Sequence, residues 1–272
     1  MTFQNAGFIG LGDQGGGIAE RMLSQGVKLR VWARRPEALE PFVALGGTAC
    51  PDPKSLGAAC DQVGVCVVDE AGVRAVLDGP NGVFAGMKPG GVIAIHSTIS
   101  PEACRDLSKI AAGHGLTLID APVSGGRKGA LAGTMSVMIG ADHQVAERCR
   151  PLFSTFATTI VRLGPVGSGQ VAKLVNNTMT AANMALVHVA RGYAEELGLD
   201  PVAFLDLASV SGGRSHGLNL YVNAGHLGNF QHAAKMLRKD VGLLTALAGN
   251  CADQTLVEVA NRFNTYADEA AT

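Results

Sequence analysis

Lys173 and Asn177 carry polar groups in a segment that is otherwise rich in apolar residues, Gln170 to Leu197. The segment has no proline and one interior glycine, so it predicts a long helix, and the spacing of four residues places both side chains on one face. A buried ammonium or amide is costly unless it meets a partner, which favours a catalytic role for Lys173 in a cleft between two domains. The alternative is a lysine whose charged end reaches solvent.

A glycine-rich turn near the start of the chain is the strongest local motif. It follows a short apolar run, precedes a helix-compatible segment, and consists of Gly10, Leu11, Gly12, Asp13, Gln14 and Gly15. Strand, glycine turn and helix in this order are typical of a dinucleotide site. Gly10 allows the tight turn, Gly12 lets the backbone approach the pyrophosphate, and Gly15 lets the helix pack on the strand. The helix N-terminus then offers N–H groups to the phosphates.

Two arginines lie about 20 residues further on, where the second strand is expected to end. An acidic residue there would accept hydrogen bonds from the ribose of NAD, whereas Arg34 suits the additional 2′-phosphate of NADP. Arg34 and Arg35 together therefore favour NADP over NAD. The alternative is a solvated pair at the start of a helix.

Three further motifs follow predicted strands or helices. Ser124, Gly125 and Gly126, in Asp120-Ala121-Pro122-Val123-Ser124-Gly125-Gly126, offer a hydroxyl and consecutive N–H groups that suit a carboxylate; a plain glycine turn is the alternative. Ser97-Thr98 ends another predicted strand, and we expect it at the nicotinamide end of the cofactor. Lys239-Asp240 follows a helical segment and is compatible with either a site contact or a surface ion pair.

The elements needed to position these residues alternate along the first part of the chain. Apolar segments predict strands at the positions 27–32, 63–68, 91–96, 116–120 and 135–140, with helices between them. Such alternation predicts an α/β Rossmann-type, doubly wound parallel sheet over residues 1–163. Residues 164–272 are predicted to form an all-α domain that begins with a long interdomain helix at about 169–197.

Composition narrows the class of protein. The chain has 272 residues, 47% of them hydrophobic and 17% charged, with a formal net charge of −1. Without a basic excess, we expect no nucleic-acid partner, and without a long apolar run, no membrane span. Six cysteines show no ligand spacing, which predicts reduced thiols, no metal and a cytoplasmic location.

Taken together, the motifs resemble the β-hydroxyacid dehydrogenase family, which includes 3-hydroxyisobutyrate dehydrogenases and glyoxylate/succinic semialdehyde reductases. The resemblance covers nearly the whole chain and rests on the glycine turn, Ser97-Thr98-Ile99-Ser100-Pro101, the Asp120 to Gly126 motif, Gly167-x-Gly169-x-x-x-Lys173-x-x-x-Asn177 and Lys239-Asp240. It implies an NADP-dependent oxidoreductase that transfers hydride between nicotinamide and a small β-hydroxy acid or the corresponding semialdehyde or keto acid.

The resemblance also implies roles for single residues. Lys173 is then the general acid/base, and the substrate is bound by Thr98, Ser124, Gly125, Gly126, Asn177 and Asp240. The cofactor contacts are Gly10, Leu11, Gly12, Asp13, Gln14, Gly15, Arg34, Arg35, Val68, Thr98 and Lys239. A homodimer or homotetramer formed through the helical domain is implied as well.

Some residues depart from the family pattern. His96 replaces a common aspartate, and the segment Asn229-Phe230-Gln231-His232 is shorter than usual, which leaves the substrate open. An imine reductase-like enzyme and a non-catalytic dinucleotide-binding protein remain the alternatives, and Lys173 argues against both.

Overall fold

A computed structural model describes residues 5–225, 231–249 and 251–270. By its internal contacts the chain forms two compact units, Met1–Lys173 and Leu174–Thr272. The division falls inside the long helix, so the start of that helix belongs to the first unit. The separate functions expected of residues 1–163 and 164–272 stay predictions.

The first unit contains a nine-stranded sheet with the order β3-β2-β1-β4-β5-β6-β8-β7, and β9 pairs with β8. The first six strands pair in parallel, whereas β8 is antiparallel to β6 and β7. The strands are β1 Ala6–Ile9, β2 Leu29–Trp32, β3 Thr48–Ala49, β4 Gln62–Val65, β5 Val92–Ile95, β6 Thr117–Asp120, β7 Val123–Ser124, β8 Met135–Gly140 and β9 Ala157–Gly164.

Helices connect these strands and bury apolar residues on both faces of the sheet, which confirms the predicted doubly wound fold. One core contains Phe8, Ile18 and Phe153, and another contains Ile9, Leu77 and Leu107. The helices are α1 Asp13–Ser24, α2 Glu40–Ala44, α3 Pro53–Ala58, α4 Glu70–Leu77, α5 Val83–Gly86, α6 Pro101–Gly113, α7 Gly126–Ala132 and α8 His143–Phe153.

From β1 the sheet extends to β2 and β3 on one side and to β4, β5 and β6 on the other. The point between β1 and β4 is therefore the place where the direction of strand addition reverses. In open α/β sheets, ligands bind at the carboxyl ends of the strands on either side of such a point. β4 ends at Val65, three residues earlier than the sequence pattern predicts. The chain then leaves the sheet and places Cys66 next to the turn that follows β1.

The second unit is helical in its described residues. The long helix α9 spans Ser168–Glu196, within one residue of the predicted bounds at each end, and is followed by α10 Pro201–Val210, α11 His216–Ala224, α12 Gln231–Leu247 and α13 Thr255–Glu269. Met184 of α9, Val241 of α12 and Phe263 of α13 are fully buried in its core. Each of these helices therefore contributes one apolar face to the core.

Candidate active site

The turn between β1 and α1 needs glycine at two positions for packing. Gly10 has φ +97°, and a side chain there would collide with the backbone carbonyl of Cys66. A side chain at Gly15 would collide with the carbonyl of Gly10 and come within 3.0 Å of Cys66 Cβ. Because neither glycine has a Cβ, the turn, the start of α1 and the residue that follows β4 can lie in close contact.

Gly12 differs from these two glycines because it is not required by packing. Its φ of −71° suits any residue, and a Cβ there would have no neighbour within 4 Å. Gly12 is also the N-cap of α1, and no side chain caps that end. The N–H groups of the first helical turn therefore have no side-chain cap, which fits the pyrophosphate of a dinucleotide.

Three other predicted cofactor residues follow β2 and β4, the strands on either side of β1. Arg34 and Arg35 follow β2, whose last carbonyl, on Trp32, accepts a hydrogen bond from the Gly10 N–H at 3.4 Å. Both arginine side chains are exposed, and neither makes a hydrogen bond or ion pair to a described residue. Val68 follows β4 and is 71% exposed, which is unusual for valine. These positions leave the three side chains accessible to a ligand.

Thr98 lies in a loop whose neighbours are tied down on both sides. The Oγ of Ser97 accepts the Val67 N–H at 2.8 Å, which joins this loop to the one after β4. The amide of Gln170 donates to the Ser97 carbonyl at 2.8 Å and accepts the Ile99 N–H at 3.3 Å. Thr98 itself is partly buried. Its backbone position is thus determined by hydrogen bonds on either side.

The carboxylate of Asp120 anchors the start of α9. Its two oxygens accept the N–H groups of Gly167 at 2.6 Å and of Gln170 at 2.8 Å. Burial raises the pKa of Asp120, and the backbone N–H groups oppose that shift. Gly140 and Gly169 leave the room that the carboxylate occupies. Because a helix N-terminus favours negative charge, Asp120 stabilises the helix that carries Lys173.

Lys173 is 8% exposed and lies on α9 at the end of the first unit. Its charge lies within electrostatic reach of the Cys66 thiol, and the Gln14 amide is 3.9 Å from the same sulfur. Burial raises the pKa of Cys66 to about 11, while Gln14 and Lys173 act in the opposite direction. Lys173 and the glycine turn therefore share a neighbour at the carboxyl edge of the sheet.

The Ser124-Gly125-Gly126 segment joins β7 to α7. Gly125 and Gly126 have φ values of +131° and +59°, and a side chain at Gly126 would meet no atom within 4 Å. No side chain caps α7. Successive backbone N–H groups in a turn of this kind can form an anion-binding nest. The helix it begins packs on α1, where a Cβ at Gly17 would lie 3.1 Å from Ala130 Cβ.

In the second unit, Asn177 and Asp240 lie together. Asn177 Nδ2 donates a hydrogen bond of 2.6 Å to Asp240 Oδ2, and Lys239 Nζ lies 3.2 Å from Oδ1 as an ion pair. Asp240 is 3% exposed, whereas Asn177 and Lys239 are partly exposed. The hydrogen bond links α9 to α12 and holds the Asn177 amide in one orientation. Lys173 lies one turn before Asn177 on α9.

Sequence reasoning did not assign roles to two buried residues of the site, Asp120 and Gln170. Both stand inside motifs that were identified, but only their hydrogen bonds reveal what they do. At Gln170, the sequence signal for such a role was a polar residue at the start of a helix whose next residues are apolar.

His96, which departs from the family pattern, is a core residue. It is 2% exposed, its Nδ1 donates to the Ala121 carbonyl at 2.8 Å, and its ring stacks on Phe8 at 5.8 Å. Burial lowers its pKa to about 4, so the ring is neutral at pH 7. His96 therefore directly follows β5, and its ring lies inside the apolar core.

Asn229 and Phe230, in the segment expected to be shortened, lie outside the described residues. Among the residues that the structure does describe, no three histidine, cysteine, aspartate or glutamate side chains converge as metal ligands. Within the same described ranges, no helix combines the length and the apolar character needed to cross a membrane.

Known proteins match this sequence over nearly the whole chain. Residues 5–164 match the NAD-binding domain of 6-phosphogluconate dehydrogenase, and residues 167–268 match the NAD-binding domain of NADP-dependent 3-hydroxyisobutyrate dehydrogenase. A 2-(hydroxymethyl)glutarate dehydrogenase from Eubacterium barkeri is 34% identical over 87% of this chain and 80% of its own length.

Two solved structures resemble this chain in both fold and sequence. The 3-hydroxyisobutyrate dehydrogenase of Mycobacterium tuberculosis with L-serine has a TM-score of 0.85 at 27% identity, covering 100% of this chain and 96% of that one. Psf3 in complex with NADP+ and 2-OPP has a TM-score of 0.84 at 27% identity, covering 97% and 93%. The chain therefore belongs to the β-hydroxyacid dehydrogenase family, as the motifs predicted, and is an NAD(P)-dependent oxidoreductase.

Proposed function

We propose that this protein is an NADP-dependent dehydrogenase of small β-hydroxy acids in which Lys173 is the general acid/base. The observation that supports it most is that Lys173 is a buried residue whose charge lies within electrostatic reach of Cys66, which in turn lies against the glycine turn. Lysine is one of the residue types that are least often buried, so its burial at this position supports a functional role.

The proposed chemistry assigns one task to each group of residues. A nicotinamide cofactor supplies or accepts the hydride at the carbon that bears the oxygen. Lys173 takes the hydroxyl proton during oxidation, or donates a proton to that oxygen during reduction. The nest at Gly125 and Gly126, with the Ser124 hydroxyl, binds the substrate carboxylate. We further assign Thr98, Asn177 and Asp240 to substrate binding.

The preference for NADP rests on Arg34. Its guanidinium is exposed, follows the end of β2, and has no partner among the described residues, so no internal ion pair competes for it. A guanidinium binds a phosphate through two parallel hydrogen bonds, and Arg35 adds charge beside it. Val68 and Lys239 complete the proposed cofactor contacts.

The names of the relatives narrow the substrate class. In 2-(hydroxymethyl)glutarate, 3-hydroxyisobutyrate and L-serine, the carbon that bears a carboxylate also bears a CH2OH group. The three compounds differ only in the further substituent on that carbon. We therefore propose 2-substituted 3-hydroxypropanoates and their semialdehydes as the substrates of this chain, with the nest binding their shared carboxylate.

A panel of these acids, with glycolate and 4-hydroxybutyrate for comparison, tests the proposal. Each is assayed with NADP and NAD, using the wild type and Lys173→Met, which keeps most of the side-chain volume. We expect turnover with at least one 3-hydroxypropanoate and a loss of about 10²- to 10⁴-fold in kcat for the variant. NADPH binding, followed by fluorescence, is expected to survive the substitution.

Other outcomes redirect the assignment. Equal loss of turnover and NADPH binding in the variant makes Lys173 a structural residue. Turnover of cyclic imines alone indicates an imine reductase, and NADPH binding without any turnover indicates a binding protein. Equal kcat/KM with NADH and NADPH, unchanged in Arg34→Asp, contradicts the role of Arg34.

We also propose a homodimer or homotetramer formed through the helical unit. The helix α10 has no buried residue, although only Asp206 and Ser209 among its ten residues are polar. Val202, Leu207 and Val210 are 65%, 63% and 80% exposed. A second copy that covers this helix would remove a large apolar surface from water.

A further inference from the structure

Gln170 joins two parts of the site that come from distant positions in the sequence. Its side chain is fully buried, its amide nitrogen donates to the carbonyl of Ser97, and its amide oxygen accepts the N–H of Ile99. The two hydrogen bonds are 2.8 and 3.3 Å long and enclose Thr98 between them. One planar amide thus satisfies the backbone groups on both sides of a single residue.

The same residue is fixed at its backbone. The N–H of Gln170 donates to Asp120 Oδ2 at 2.8 Å, while Gly167, at the turn before α9, donates to Oδ1 at 2.6 Å. The carboxylate of Asp120 therefore sets where α9 begins, and the Gln170 side chain transmits that position to the Thr98 loop. Lys173 follows Gln170 by three residues, close to one turn along α9.

We propose that Gln170 is a positioning residue that couples the backbone of Thr98 to the helix carrying Lys173. This inference rests on the proposed function, in which Thr98 contacts nicotinamide and substrate and Lys173 moves the proton. Without the amide, the Ser97 carbonyl and the Ile99 N–H are left without a partner at a buried position. The Thr98 loop then shifts or samples other conformations. The position of Thr98 relative to the Lys173 ammonium is then no longer fixed.

The test replaces Gln170 by methionine, which keeps the length and volume of the side chain and removes both hydrogen bonds. Gln62 offers a matched control, because it is also a buried glutamine but lies at the amino end of β4, away from the carboxyl edge of the sheet. Gln62→Met makes the same side-chain exchange outside the site, at a buried amide that has no hydrogen-bond partner among the described residues.

We expect Gln170→Met to lower kcat about 10- to 100-fold, since a misplacement of about 1 Å has effects of this size. KM is expected to change less than kcat, because the carboxylate nest does not involve this residue. Amide hydrogen exchange at Ile99 is expected to accelerate in the same variant. Gln62→Met is expected to leave kcat and the Ile99 exchange rate close to wild type.

Three results would contradict either the role of Gln170 or the proposed function. Faster exchange at Ile99 with unchanged kcat shows that the bonds hold the loop but do not position the reaction, and overturns the proposal. An equal fall in kcat for Gln62→Met and Gln170→Met assigns the effect to general destabilisation and overturns it as well. Absence of turnover in the wild type refutes the proposed function instead, and the exchange measurement then still decides whether Gln170 holds the loop.

Discussion

Replacing Gly12 and Gly15 separately by alanine tests the dinucleotide site. Each substitution adds one methyl group, which enters open space at Gly12 and a closed contact at Gly15. At Gly12 the methyl meets no atom within 4 Å, and φ is −71°. At Gly15 it collides with the Gly10 carbonyl and lies 3.0 Å from Cys66 Cβ. We expect Gly12→Ala to affect the ligand and Gly15→Ala to affect the fold.

The magnitude for Gly12→Ala follows from two opposing effects on stability. Alanine is a poorer N-cap than glycine by several tenths of a kcal/mol, but it gains about 0.4–1 kcal/mol from the reduced entropy of the unfolded chain. The free energy of unfolding is thus expected to stay within about 0.5 kcal/mol of wild type. NADPH affinity is expected to fall about 10- to 100-fold, because the methyl occupies the space open to the pyrophosphate.

The magnitude for Gly15→Ala comes from overpacking. Forcing a methyl into a closed contact costs about 1–3 kcal/mol, since α1 must move away from β1 and from Cys66. For a domain of this size, each kcal/mol corresponds to about 2–4 °C in Tm, so a decrease of several degrees is expected. NADPH binding is expected to weaken too, because the turn moves with the helix.

The assays are thermal unfolding without ligand and calorimetric titration with NADPH. The reasoning is refuted if Gly12→Ala binds NADPH as tightly as wild type, because the open space then does not receive the pyrophosphate. It is equally refuted if Gly12→Ala loses as much Tm as Gly15→Ala, because the space is then not open in the folded protein.

Three further predictions concern His96, the Asn177–Asp240 pair and helix α10. Since the folded pKa of His96 is about 4 and the unfolded value about 6.5, stability should fall by up to ~3 kcal/mol between pH 6.5 and 4. Urea unfolding of His96→Phe should show a smaller fall over that range, and an unchanged one contradicts the assignment. Substitution of Asn177 and Asp240 by alanine, singly and together, should give non-additive losses of kcat/KM with a coupling of about 1–2 kcal/mol, whereas additive losses show that the 2.6 Å hydrogen bond is not used. Leu207→Glu should shift sedimentation towards the monomer, and an unchanged coefficient places any interface elsewhere.

Local chemistry in the sequence determined much of the fold. The glycine turn, the alternation of apolar strands with helices, and the uninterrupted segment from Gln170 to Leu197 depend on backbone freedom and on residue periodicity, which act over a few residues. They predicted the parallel sheet and α9 to within a residue at each end.

Other features were decided only by tertiary structure. The early end of β4, the antiparallel pairing of β8, and the burial of His96 among phenyl rings depend on neighbours far away in the sequence. The hydrogen bonds of Asp120 and Gln170 join residues that are 47 to 73 positions apart. Such contacts have no periodicity to detect, because a buried carboxylate or amide takes its role from whichever backbone groups the fold brings to it.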